Sequence, residues 1–280
     1  MPRRPLLLLA LALLTACGAL AVWVAAFVVP GGRALDATAM QTFTGVARPP
    51  LQPSIHGVAV LADPAPFLAG VAALTALALL RRRWLMALIV PGVLLGANLA
   101  TQLLKPALAD PRVLELLGTQ VIYAGSWPSG HATASMSLAL GLVLVVGRRL
   151  RPVAALLGAG YAIAVGYALV ALGYHLPSDV LGGYLVAATF TLAGAAALAA
   201  LEARLPARAP RAGRTSSLIP LPALAAAVAL LGAAAGVAVV ARAPGMTLSA
   251  LQHPTALAAG AGIALLGIAL TAGLAAVLHR

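Results

Sequence analysis

The chain has 280 residues, of which 62% are hydrophobic and only 9% are charged, and its mean hydropathy is +1.03. A soluble domain has roughly 45–50% apolar and about 25% charged residues, so this sequence lacks the polar surface that would cover its apolar residues in water. The composition therefore excludes a soluble globular protein. It predicts an all-α, polytopic transmembrane helical bundle.

Eight apolar runs are candidates for membrane-spanning helices. A span needs about 20 residues to cross roughly 30 Å of hydrocarbon at 1.5 Å per residue. Two runs are short, but each ends at an arginine cluster and is therefore included. In chain order the predicted spans are Leu6–Val29, Ala65–Leu80, Trp84–Leu104, Ala132–Val146, Val153–Tyr174, Val180–Leu201, Leu221–Val240 and Thr255–Leu278.

The segments between the spans indicate the organisation of the chain. A long outer loop rich in Pro and Gly is predicted at Pro30–Pro64. We expect a six-helix core in residues 1–203 and a basic cytoplasmic linker in residues 204–217. Residues 218–280 then form two additional transmembrane helices without ionisable side chains inside the spans, which suits packing or partner contact.

The formal net charge of +12 is explained by membrane orientation. Basic residues accumulate in short cytoplasmic loops. If the N-terminus is cytoplasmic, thirteen of the 18 basic residues lie inside and five outside. The charge excess thus needs no nucleic-acid partner. The five outer residues are Arg33, Arg48, Lys105, Arg112 and Arg242.

Three polar groups fall at the outer ends of predicted spans. Lys105, the only lysine, precedes Arg112 by seven residues at the end of span three. The sequence Trp127-Pro128-Ser129-Gly130-His131 opens span four, and His175-Leu176-Pro177-Ser178-Asp179 joins spans five and six. Since the orientation came from arginine counts alone, their meeting on one face indicates a functional site.

The residue types in these groups suit a phosphate. Lys105 offers a point charge and Arg112 a forked donor that matches phosphate oxygens. The second group begins a helix, whose free N–H groups favour an anion. His131 and His175 are suited to the roles of general acid and nucleophile. A carboxylate such as Asp179 can orient one imidazole.

The chain resembles the type 2 phosphatidic acid phosphatase (PAP2) superfamily. The signatures of that family are Lys-x6-Arg-Pro, Pro-Ser-Gly-His and Ser-Arg-x5-His-x3-Asp. This sequence has Lys105-x6-Arg112, an intact Pro128-Ser129-Gly130-His131 and His175-x3-Asp179, and the resemblance covers roughly residues 1–203.

The resemblance implies a role for each of these residues. His175 would attack phosphorus to form a phosphohistidine, Asp179 would orient it, and His131 would protonate the leaving oxygen. The phosphoryl oxygens would be held by Lys105, Arg112, Ser129 and Gly130. The resemblance implies neither a metal nor another cofactor, and the outer acidic residues Asp36, Asp63, Asp110 and Glu115 are dispersed in the sequence.

Two positions depart from the family pattern. Val113 replaces the proline after Arg112, and Ala168-Leu169 replaces the Ser-Arg of the third signature. The sequence between Arg151 and Arg204 contains no arginine, so no shift of register restores it. The phosphate site therefore lacks one of the three cationic side chains of the family.

We expect a lipid phosphatase that hydrolyses a phosphomonoester or diphosphate on the outer face, with phosphatidic acid, phosphatidylglycerol phosphate and polyprenyl diphosphate as candidate substrates. Two alternatives remain open. The first is a lipid phosphotransferase, because some related lipid transferases use a His, His, Asp set without the third-signature arginine. The second is a non-catalytic lipid-binding or partner-binding protein that keeps the scaffold. The expected location is the bacterial cytoplasmic membrane, with the site on the extracytoplasmic side and membrane lipids around it. The sequence leaves the oligomeric state open.

The orientation gives a first testable prediction. An impermeant thiol reagent should label a Gly118→Cys variant in intact cells, and it should not label an Arg211→Cys variant until the membrane is opened. Both substitutions are made in a Cys17→Ser background, because Cys17 is the only native cysteine. The reverse pattern of labelling would show that the arginine-rich loops face outward.

Overall fold

A computed structural model describes residues 3–45, 51–109, 122, 125–204 and 253–279. These residues contain nine α-helices, one short 3₁₀ helix at Arg148–Leu150 and no β-strand. The α-helices are α1 (Arg3–Phe27), α2 (Gly32–Thr44), α3 (Gln52–Val60), α4 (Pro64–Leu80), α5 (Trp84–Ala107), α6 (Gly130–Val145), α7 (Arg151–Ala171), α8 (Pro177–Glu202) and α9 (Pro254–His279).

The helices have the lengths and apolarity of a membrane bundle. Five stretches, which contain α1, α5, α7, α8 and α9, are each long and apolar enough to span a bilayer. Helices α3 and α4 pass the same test together but are bent by 47°, and α6 is shorter. The prediction of an all-α transmembrane bundle is confirmed. Seven of the eight predicted spans correspond to described helices, whereas Leu221–Val240 and most of the 204–217 linker lie outside the described residues.

The short helix α6 is at the centre of the bundle. It packs against α4, α5, α7, α8 and α9, and most of its side chains are buried. A helix that is apolar on every side is stable when other helices surround it. Helix α8 lies beside α6 and also packs against α1, α5 and α9. The starts of these two helices carry the second and third motifs.

The prediction of a loop at Pro30–Pro64 is wrong over most of its length, because α2 and α3 lie within it. Both helices are too short to span a bilayer, and α2 has a mixed composition that buries only Ala37, Ala39 and Met40. A search for long apolar runs therefore misses them. Gly31, with φ 82°, precedes α2, and a proline in the first turn opens α3.

Helix α9 packs into the bundle. It contacts α2, α6 and α8, and most extensively α7. Small residues such as Gly260 and Gly267 are buried, and the Tyr167 hydroxyl donates to the Gly260 carbonyl oxygen at 2.8 Å. Small residues allow membrane helices to approach closely. The packing role expected for the last span thus has a structural basis.

Two adjacent glycines let the start of α8 approach the start of α6. A Cβ atom on Gly183 would lie 2.7 Å from the Ser129 carbonyl oxygen and 3.0 Å from the Thr133 nitrogen. A Cβ atom on Gly182 would lie 2.6 Å from the indole ring of Trp127. These distances are too short for a side chain, so the contact between the two helix starts depends on glycine at both positions.

We expect Gly183→Ala to destabilise the protein by about 1–3 kcal/mol, the usual range for overpacking a dense interior. The measurement is thermal unfolding of the purified protein in detergent. Gly160→Ala on α7 is the matched control, because a Cβ atom at that position meets nothing within 4 Å. An unchanged Tm for Gly183→Ala would contradict the close contact.

Candidate active site

The first part of the site is the turn between α7 and α8. Gly173, with φ 70°, allows the chain to reverse, and the backbone nitrogens of Tyr174 and His175 lie 3.0 and 3.4 Å from the Leu169 carbonyl oxygen. Pro177 then opens α8, where a proline in the first turn is favourable. The turn places His175 directly before Leu176, the N-cap residue of α8.

Asp179 holds His175 from the first turn of α8. Its Oδ2 atom lies 3.2 Å from Nδ1 of His175 and accepts a hydrogen bond from the Leu176 nitrogen at 3.1 Å. The carboxylate is fully buried, and the imidazole is 12% exposed. When Nδ1 donates its proton to Asp179, Nε2 is the ring nitrogen of His175 that is suited to attack an electrophile.

The second part of the site is the start of α6. Ser129 is the N-cap residue, is fully buried, and accepts a hydrogen bond from the Ala132 nitrogen at 3.3 Å. The Ser129 nitrogen donates to the backbone oxygen of Asp179 at 2.9 Å. This bond joins the starts of α6 and α8, so the second and third motifs form one structural unit.

Lys105 lies over the same helix start. Its Nζ atom is 3.8 Å from the position that a Cβ atom on Gly130 would occupy, and its charge is within electrostatic range of Asp179. Gln102, one turn earlier on α5, places its amide nitrogen 3.2 Å from the same position. The absence of a side chain on Gly130 therefore leaves room beside a cation and an amide.

The structure shows where the two amide side chains of α5 lie. From the sequence, Asn98 and Gln102 are both expected to form hydrogen bonds between helices. The Asn98 amide instead donates to the Leu94 carbonyl oxygen of its own helix at 3.0 Å. Gln102 lies beside the start of α6. A signal for this was available, since Gln102 precedes Lys105 by three residues on one helix face.

Asp63 is a site residue that sequence reasoning missed. Its Oδ1 atom lies 2.9 Å from Nε2 of His131, and the two side chains are 42% and 37% exposed. Asp63 is the N-cap residue of α4, at the bend between α3 and α4. The two residues are 68 positions apart, so no local spacing indicates the pair.

Asp36 is the second missed residue. From α2, its carboxylate accepts hydrogen bonds from the Ser178 nitrogen at 3.1 Å and from the Ser178 hydroxyl at 2.5 Å. Ser178 lies between Pro177, which opens α8, and Asp179. The carboxylate of Asp36 therefore fixes α2 to the first turn of α8, where it also complements the positive end of the helix dipole.

The predicted site residues lie at the ends of three neighbouring helices. Lys105 is in the last turn of α5, Ser129, Gly130 and His131 are at the start of α6, and His175 and Asp179 are at the start of α8. Arg112 lies outside the described residues. The catalytic and phosphate-binding roles of all seven residues stay predictions.

The leucine that replaces the family arginine is fully buried. Leu169 is part of the same apolar core as Leu176 and Val180, which flank Asp179. From the sequence, Arg33, Arg48 and Arg242 are the arginines on the predicted outer side that are candidates to replace the missing cation. Arg33 donates to the Phe27 carbonyl oxygen at 3.3 Å, whereas Arg48 and Arg242 lie outside the described residues.

Comparison with known proteins relates this arrangement to a family and a fold. The model of the PAP2 superfamily matches residues 84–202, which include all three motifs, so the resemblance is confirmed. The comparison with curated proteins gives no match. The crystal structure of the first transmembrane PAP2 type phosphatidylglycerolphosphate phosphatase from Bacillus subtilis is similar, with 20% sequence identity and a TM-score of 0.53 over 73% of this chain and 99% of that chain. At this identity the likeness shows a shared fold.

The described residues include no group of three or more His, Cys, Asp or Glu side chains that could hold a metal ion. Asp36 and Asp63 both have polar partners at helix starts. Metal independence stays a prediction.

The contact between Asp63 and His131 gives a test of the site geometry. We expect Asp63→Ala to lower turnover about fivefold, because a partly exposed ion pair contributes at most about 1 kcal/mol. Asp63→Asn, which keeps an acceptor oxygen, should lose less. The measurement is steady-state phosphate release from lipid phosphates in detergent micelles.

A double-mutant cycle supplies the control for this test. If Asp63 acts through His131, adding Asp63→Ala to His131→Ala should cause no further loss, because the pair is already broken. Equal losses in both backgrounds would show that Asp63 acts through another contact.

Proposed function

We propose, from the match of residues 84–202 to the PAP2 superfamily, that the chain is a membrane lipid phosphatase. It hydrolyses a phosphomonoester or diphosphate of a lipid, through a phosphohistidine on His175, at the outer face of a bacterial cytoplasmic membrane. The observation that carries the proposal is the linkage of the two motif helices. Asp179 binds His175 through its side chain and Ser129 through its backbone oxygen.

The linkage supports a two-step displacement. Nε2 of His175 attacks phosphorus, the bond from phosphorus to the leaving oxygen breaks, and His131 gives a proton to that oxygen. Water then attacks the phosphohistidine and gives a proton to His131, the P–N bond breaks, and inorganic phosphate leaves with both histidines restored. Asp179 keeps the His175 ring oriented through both steps, and Asp63 holds the ring of His131.

Two described features near Gly130 suit the phosphoryl oxygens. The first turn of α6 offers backbone N–H groups and the positive end of its dipole. Lys105 adds a full positive charge at the same helix start. Arg112, seven residues after Lys105, is the predicted second cation. In the proposed mechanism these donors bind the oxygens on which charge accumulates during transfer, where each preorganised donor contributes most to the rate.

An apolar groove supports a lipid as the substrate. The groove has a volume of about 240 Å³ and lies between α1, α5 and α8. It begins beside the site, since Leu104 precedes Lys105 and the Trp127 indole nitrogen donates to the Ser178 backbone oxygen in the first turn of α8 at 3.1 Å. A hydrocarbon chain is the matching occupant for such a surface. The groove is lined by residues that include Trp23, Leu104, Leu108, Trp127, Val186 and Phe190.

The buried Leu169 bears on the alternative of phosphoryl transfer to an alcohol. Loss of one preorganised donor typically lowers the rate ~10²–10³-fold. A site with fewer cations therefore depends more on binding energy from the lipid tail.

Phosphate release from a panel of lipid phosphates identifies a phosphatase. Headgroup exchange that needs an added alcohol identifies a transferase, and a lack of both identifies a non-catalytic binding protein.

We expect His175→Ala to abolish phosphate release, since no nucleophile remains. Asp179→Asn should retain a low residual activity, because loss of an orienting carboxylate can lower the rate about 10⁴-fold. With a radiolabelled aryl phosphate, whose leaving oxygen needs no proton donor, His131→Ala should accumulate an acid-labile phosphoenzyme, because the water of the second step then lacks its base. The matched control is His253→Ala, which changes an exposed histidine that precedes α9. Wild-type phosphate release by His175→Ala would refute the proposed mechanism.

A further inference from the structure

The end of the bundle opposite to the active site holds a cluster of arginines, which comprises Arg4, Arg81, Arg83, Arg148 and Arg151. The side chains converge from the starts of α1, α5 and α7 and from the end of α4. The charges of the other four members all act on Arg151. The Arg81 Nη2 atom lies 2.9 Å from the position of a Cβ atom on Gly147, the residue before Arg148.

Carboxylate side chains do not balance this charge. The chain has only six acidic residues, and Glu202 is the described one at this end of the bundle. It lies 3.8 Å from Arg83. The sequence after Glu202 contains no Asp or Glu, and it adds four further arginines in residues 204–217. Acidic side chains therefore leave most of the positive charge of the cluster unbalanced.

The backbone of α9 supplies part of what the cluster needs. Arg151 and Arg4 donate to the Leu278 carbonyl oxygen at 2.5 and 3.4 Å. Arg148 donates to the His279 carbonyl oxygen. These carbonyls are at the negative end of the α9 dipole, which is equivalent to about half an elementary charge. Half a charge and one carboxylate do not neutralise five guanidinium groups.

Arg151 shows that the cluster is built into the bundle. An arginine that only marks membrane orientation extends its charged group into water. Arg151 is instead 7% exposed, and its Nε–H has no hydrogen-bond partner within the described residues. A buried donor without a partner is unfavourable. The orphaned Nε–H indicates that an acceptor outside the described residues completes this end of the structure.

We propose that the arginine cluster binds the phosphate of an anionic phospholipid in the leaflet that this end of the bundle faces. Guanidinium groups match phosphate oxygens with paired N–H donors. The cluster lies at the ends of candidate membrane spans. Basic pockets between helices at such ends bind anionic lipids. The bound phosphate would bridge arginines from the starts of α1 and α7 and from the end of α4.

Lipid retention by the full-length protein tests the proposal. The protein is reconstituted in nanodiscs of mixed phosphatidylcholine and phosphatidylglycerol, and native mass spectrometry measures the lipid that stays bound. We expect several-fold enrichment of phosphatidylglycerol in the wild type and loss of that enrichment in Arg148→Gln and Arg81→Gln. Both residues are exposed, so the variants should fold.

Two controls make the outcome decisive. Arg82→Gln removes the same charge from an exposed residue of the same turn outside the cluster, and it should keep the enrichment. His175→Ala should also keep it, because the active site is at the other end. Equal retention by all variants, or equal loss in Arg82→Gln, would overturn the proposal. Loss in His175→Ala would assign the bound lipid to the active site instead.

Thermal stability separates a lipid from a free anion. Phosphatidylglycerol added to the protein in neutral detergent should raise the Tm of the wild type by several degrees more than that of Arg148→Gln, because a ligand that binds only the folded state stabilises it. Inorganic phosphate at the same concentration should give no shift that depends on Arg148. An equal Arg148-dependent shift with inorganic phosphate would overturn the assignment to a lipid headgroup.

Discussion

The rest of the site depends on the hydrogen bonds of Asp179, whose carboxylate is buried. This carboxylate accepts hydrogen bonds from His175 and from the Leu176 nitrogen, while the backbone oxygen of the same residue accepts from Ser129. One residue thus caps α8, orients a histidine and fixes the start of α6. A charge this deeply buried is tolerated only where partners surround it, so its cost restricts the turn to one arrangement.

The bundle separates its charges between two ends. The two site histidines, Lys105 and the carboxylates of Asp36, Asp63 and Asp179 lie at one end, and the arginine cluster with Glu202 lies at the other. The apolar interior between them tolerates few polar groups, because a charge at membrane depth is costly. Each end must therefore satisfy its own charges. The active-site end does so through hydrogen-bonded carboxylates at helix starts, whereas the other end has more guanidinium groups than its described carboxylate can balance.

The sequence predicted what local patterns determine. The lengths of α5, α8 and α9 follow from the thickness of a bilayer, and the motifs placed Ser129–His131 and His175–Asp179 at helix starts. The pairs Asp36–Ser178 and Asp63–His131 could not be predicted, since they join residues 142 and 68 positions apart. Asp36 lies in α2, and Asp63 follows α3. Because the predicted loop contained neither helix, neither pair was predicted.

Leu169 shows how the fold and the charge of the site can vary separately. The Leu169 carbonyl oxygen accepts hydrogen bonds from the backbone nitrogens of the turn that carries His175. This oxygen belongs to the backbone, so it is present whatever side chain occupies position 169. One turn earlier, Gly166 faces Val180, Tyr184 and Ile263, so this part of α7 has largely apolar surroundings. An arginine at position 169 would need a partner in that setting, whereas leucine packs without one. Replacing the cation therefore keeps the geometry of the turn and lowers the positive charge available to a phosphate. In the proposed mechanism, phosphoryl transfer then depends more strongly on Lys105, on the start of α6 and on the lipid tail.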